Sequence, residues 1–147
     1  MWQQSAFTAA EASNPAVSGP TADPDGDGIQ NLLEFALGTL PKTPGSSTFS
    51  ISPQGTSVPS PQNSTPVPSL RLTTPATLPA GITLSIEGLN PAGQWQTLAS
   101  ATSTSDWTPT VPGWMFLSST GPREVCAGWK APAPAASMLR VRATYLP

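Results

Sequence analysis

Apolar residues along this chain repeat with two different periods. Between residues 29 and 37, Ile29, Leu32, Leu33, Ala36 and Leu37 fall at i, i+3, i+4, i+7 and i+8, which places one apolar stripe on one helix face. Gly38 and Pro41 mark its end. A helix this short gains little from propensity, so it is expected to dock on a neighbouring surface. From about residue 46 the period becomes two. Phe49 and Ile51 alternate with polar residues, as do Leu70 and Leu72. Ile82, Leu84 and Ile86 alternate with Thr83, Ser85 and Glu87, and Leu139, Val141, Ala143 and Tyr145 with Arg140, Arg142 and Thr144. Further strands are predicted at 94–99, 113–118 and 123–129. Such strands, separated by Pro, Gly, Ser and Asn, predict an antiparallel β-sandwich with one solvated face per sheet.

The N-terminal part reads differently. Residues 2–12 predict a short helix anchored by Trp2 and Phe7, and Asn14-Pro15 and Gly19-Pro20 then break the chain. The Pro/Ser-rich stretch 53–68 reads as an extended loop between strands or a true linker, and residues 131–135 as the turn before the last strand. The expected fold class is therefore mainly β. Residues 1–44 would hold a short helix, an Asp-rich loop and a second helix, packed on a β-sandwich module of residues 45–147.

Composition narrows the function. Nineteen prolines and 10% charged residues suit short strands and turns rather than a helical enzyme. The six Lys and Arg form no run, so nucleic acid is not an expected partner. There is no histidine and one cysteine, Cys126, which excludes a disulfide within the chain, a Cys/His zinc site and a His-activated nucleophile. No stretch has the roughly 18 consecutive apolar residues of a membrane span, and the first residues lack a signal-peptide pattern.

One segment carries chemistry. Asp23, Asp25, Asp27, Gly28 and Glu34 match D-x-D-x-D-G-x5-E without a gap. A calcium ion takes six to eight oxygens at about 2.3–2.6 Å. Asp23, Asp25 and Asp27, two residues apart, can turn their carboxylates inward, while Gly28 supplies the sharp bend. The carbonyl of Ile29 is the next donor, Asn31 acts directly or through water, and Glu34 closes the sphere with two oxygens. Four of the eight acidic residues lie in these twelve positions and would repel one another without a cation. Ca2+ is the expected cofactor.

The loop resembles the calcium-binding units of thrombospondin type 3 repeats and, more loosely, EF-hands and dockerins. The longer string DPDGDGIQNLLEFALGTLP is similar to a unit near the C-termini of large secreted bacterial surface proteins, followed there by a β-rich module. The resemblance implies a secreted or cell-surface setting. Gln30, rather than an apolar residue, stands at loop position 8, no second loop exists, and Pro15 and Pro20 interrupt any leading helix. A fixed structural site is thus expected instead of a calcium sensor, with a dissociation constant of about 10⁻⁴–10⁻³ M.

Outside the loop, Trp95, Trp107, Trp114 and Trp129 either fill the core, the favoured reading, or stack on sugar rings. Glu87 and Glu124 are expected to face water, and no motif links any pair of acids, so enzymatic activity is not expected. The function expected is that of a calcium-binding, non-catalytic structural or adhesive module. The alternative is a carbohydrate-binding β-sandwich. Beyond calcium, an extracellular polysaccharide or another domain of a longer chain is the partner envisaged.

Overall fold

The computed structural model describes residues 1–45, 49–52, 69–90, 92–110, 115–118, 124–128 and 138–146. The architecture is mainly β, and among the described residues the short helices lie within the first 37. Among the described residues eight strands, all paired antiparallel, form two four-stranded sheets. One has the order β1 (Phe49–Ser52), β2 (Ser69–Thr73), β7 (Glu124–Gly128), β6 (Met115–Ser118). The other has the order β5 (Thr108–Pro109), β4 (Trp95–Thr102), β3 (Ile82–Leu89), β8 (Leu139–Tyr145). Each alternating stretch in the sequence thus lies on a strand. The two-residue β5 has no such pattern to announce it, and its Pro109 is tolerated because β5 stands at a sheet edge.

Leu70 and Leu72 of the first sheet share one hydrophobic cluster with Ile82, Leu84, Ile86, Leu98, Ala99 and Ala101 of the second. Adjacent Leu98 and Ala99 are both buried because the register between β3 and β4 shifts after Ile86, a bulge that resets the alternation. The expected solvated face of β3 is not found. Ser85 and Glu87 are buried along with Ile86 between them; the Arg140 side chain from β8 pairs with Glu87, and Ser85 donates its hydroxyl to the Arg142 carbonyl.

The N-terminal segment corrects two expectations. Residues 2–12 do not make one helix: a 3₁₀ turn, Trp2–Ser5, is followed by α1, Ala9–Ala12. Thr8 and Glu11 form a reciprocal capping box, which starts a new helix where a continuous one was expected. Nor does Asn14-Pro15 break the chain into a loop. The Asn14 side chain caps α2, Pro15–Ser18, and Pro15 occupies the first helical position, where its missing N–H is harmless.

The helix predicted at 29–37 is α3, Asn31–Leu37, ended by Gly38 in the left-handed conformation (φ 75°). Its residues Leu32, Ala36 and Leu37 join the cluster of the sheets, and α3 packs against β8. Trp2 and Phe7 are buried in the same cluster, as anchors should be, and Trp2 stacks on Phe35 with 5.4 Å between ring centroids. The stretches 53–68 and 131–135, Trp114 and Trp129, and the side chain of Glu124 lie outside the described residues.

Candidate metal centre

The Asp-rich loop runs from Asp23 to Glu34, and its ends are held together. The amide of Asn31 donates to the Ala22 carbonyl (2.9 Å) and that of Leu32 to the Pro20 carbonyl (3.1 Å). Those of Leu33 and Glu34 donate to Gln30. None of the four amides that open α3 therefore reaches the Ile29 carbonyl, which stays available as an oxygen donor.

Inside the loop the aspartates organise the backbone. Asp23 accepts from the amides of Gly26 and Gly28, both at 2.9 Å. Asp25 accepts from Asp27 (3.3 Å), and Asp27 from Ile29 (2.9 Å). Gly26 and Gly28 take positive φ values, 74° and 89°, which only glycine adopts cheaply, and so the chain can curl with its carboxylates on one side. One oxygen from each of Asp23, Asp25 and Asp27 lies within 4.8 Å of the others. A carboxylate oxygen has a second lone pair after accepting one amide hydrogen, so these bonds leave metal-binding capacity intact.

Three side-chain oxygens of the loop are left without protein partners among the described residues. Asp25 Oδ2, Asn31 Oδ1 and Glu34 Oε2 are buried with no hydrogen-bond partner among the described residues. Gln3 Oε1 is in the same state outside the loop. Asn31 and Glu34 are each 0% exposed. Leaving a buried polar group unsatisfied costs about 1–3 kcal/mol each. Three such atoms on residues of one loop pattern are a large cost unless a cation, a buried water or, for Glu34, a proton compensates them.

Glu34 does not belong to the 4.8 Å trio but feels its charge. Burial pushes its carboxyl up to about 7, and the negative charges of Asp25, Asp27 and Asp23 add to the rise. A hydrogen bond from Thr39 Oγ1 to Glu34 Oε1 (3.3 Å) acts the other way. Of the six residues singled out in the sequence, the structure groups the carboxylates of Asp23, Asp25 and Asp27, while Ile29, Asn31 and Glu34 follow in the same loop and the start of α3. Two participants escaped sequence reasoning. The amide of Gly45 donates to Asp27 Oδ2 (3.1 Å), and Thr39 touches Glu34, both through the chain that leaves α3 and folds back. No residue pattern signals such a return.

Among the described residues the other acids form no comparable site. Glu87, expected to face water, is 6% exposed and receives Arg140 Nε on Oε2 at 2.6 Å, with Arg142 Nη1 3.6 Å from Oε1. The Arg140 guanidinium also lies over Trp95, 4.1 Å from the ring centroid. A cleft of about 380 Å³ lies between the N-terminal turn and the chain after α3, lined by Phe35, Leu40, Pro41 and Lys42 among others and by no acid. No helix among the described residues is long and apolar enough to cross a membrane. No protein-family model matches the chain, and comparison with curated proteins gives no significant match.

Proposed function

We propose that this chain is a calcium-binding, non-catalytic structural or adhesive module of a secreted or cell-surface protein. The carrying observation is the coincidence of the D-x-D-x-D-G-x5-E spacing with three buried, unpartnered oxygens on Asp25, Asn31 and Glu34. The donor set is all oxygen and rich in carboxylate, which suits a hard cation. Asp23, Asp25, Asp27, the Ile29 carbonyl, Asn31 and Glu34 would hold Ca2+, and the ion would neutralise their mutual repulsion. The two sheets would face one another as a β-sandwich, a reading supported by the single hydrophobic cluster that both feed. Because α3 contributes to that cluster, the metal would fasten the N-terminal segment to the β module rather than open a groove. A site of modest affinity is filled where calcium is plentiful, which favours the extracellular setting.

A sugar-binding platform would need two exposed tryptophans on one sheet face. Among the described residues Trp2 and Trp107 are buried, and Trp95, 37% exposed, is covered on one side by Arg140.

Thermal melts in EDTA and in millimolar calcium test the proposal, repeated with Asp25→Ala/Asp27→Ala. A rise of several degrees with calcium, absent from the double variant, is expected. No shift, together with no binding heat in calorimetry, would remove the calcium reading.

A further inference from the structure

Asn31 stands at the loop position where either a side chain or a water commonly serves the ion, and its surroundings here separate the two options. Its amide nitrogen donates to the Val17 carbonyl at 2.8 Å and to the Gly19 carbonyl at 2.9 Å. Both hydrogens of the amide are thereby occupied, so the orientation of the group is set by the protein. Its oxygen lies on the opposite edge, buried and without a partner. Including its own backbone amide and that of Leu32, four hydrogen bonds tie Asn31 and Leu32 to the carbonyls of Val17, Gly19, Pro20 and Ala22.

The anchoring carbonyls are themselves held. Ser18, between them, is buried and donates its hydroxyl to the Ala12 and Asn14 carbonyls at 3.1 and 3.2 Å. Gly19 ends α2 so tightly that a Cβ there would lie 2.3 Å from the Pro15 oxygen. The short helix α2 is therefore a built wall against which Asn31 rests.

We infer that Asn31 is both a direct, water-free donor to the ion and the pin that couples the site to α2, so that an amide, and not a carboxylate, is required at this position. This rests on the calcium reading above. The chemistry makes opposite forecasts for one substitution. Were Asn31 only an oxygen donor, Asn31→Asp would keep the oxygen, add a negative charge and tighten cation binding. With the pin, the new carboxylate faces two backbone carbonyls with no hydrogen to offer them, and the site loses its wall.

The experiment is calcium calorimetry on the wild type and Asn31→Asp, with melts of both in EDTA. Weakening of calcium binding by about tenfold or more, together with a lower melting temperature in EDTA, is expected. Equal or tighter binding by Asn31→Asp would overturn the inference while leaving the calcium site standing. A wild type that binds no calcium would end both. Should Asn31→Asp not fold, the wild type decides alone through the luminescence lifetime of bound terbium in H₂O and D₂O. A lanthanide with about nine ligands and seven protein oxygens retains about two waters; three or more would show that Asn31 acts through water and overturn the inference.

Discussion

Glu34 and Glu87 are both buried acids, one at the end of the Asp-rich loop and one on β3, and the protein treats them in opposite ways. Glu87 has cations of the protein beside it: Arg140 and Arg142 reach it from the neighbouring strand, at positions that the β3–β8 register sets opposite Glu87 and Ser85. Glu34 has no cation among the contacts described. Its neighbours in charge are three further acids, and one of its oxygens has no partner. A buried acid compensated from within is complete as folded. One surrounded by its own sign is stable only when protonated or when an ion arrives from outside.

That contrast can be broken most sharply at Glu34. Glu34→Gln is expected to weaken calcium binding roughly 100-fold, about 3 kcal/mol, in calorimetry. In EDTA the same substitution should leave the protein at least as stable as the wild type above neutral pH, because it removes a buried repulsion. The pH dependence follows with a definite sign. The metal-free folded state holds the Glu34 proton up to about pH 7, whereas the unfolded chain releases it near 4.5. Between these values the folded state binds more protons, so this contribution is full below 4.5 and is lost as pH rises through 7. Wild-type stability in EDTA, and with it the melting temperature, should accordingly fall from pH 4.5 towards pH 8 through this group, by about 3 kcal/mol, and Glu34→Gln should lack that component. A profile identical in both proteins would show that Glu34 is not the uncompensated group.

At the other acid the expected effect is smaller and indifferent to metal. Arg140→Met leaves Glu87 buried with only the more distant Arg142. The cost is about 1–2 kcal/mol, between that of an exposed and a fully buried pair because Arg140 itself is well exposed. Denaturant melts should give the same loss in calcium and in EDTA; a loss confined to one condition would mean that the two regions are coupled. Smallest of all should be Lys42→Ala, which removes an exposed ion pair with Glu11 at 3.2 Å and should leave the denaturation midpoint unchanged within error.

How much of this was legible beforehand varies with the range of the interaction. The clustering of Asp23, Asp25 and Asp27 could be read beforehand because they lie two residues apart, and a curled chain brings such neighbours together by spacing alone. The stripe of α3 and the alternation of β3 and β8 were legible for the same reason: side-chain direction follows local backbone geometry. Thr8 and Glu11 were a capping box written plainly in the chain, yet helix-forming alanines on both sides suggested continuity across it. Glu87 was misplaced because alternation tells which face a residue points to and not what covers that face.

The sequence by itself determined the Asp-rich loop, the helix that follows it and the positions of most strands, since each rests on spacing within one or two turns of chain. Tertiary structure alone decided the strand order, the arginines that meet Glu87 across more than fifty residues, and the return of Gly45 to Asp27. It likewise decided that the Asn31 amide would find two carbonyls twelve and fourteen residues upstream. Those contacts depend on where distant segments pack, and packing is chosen by the whole apolar core rather than by any local run of residues.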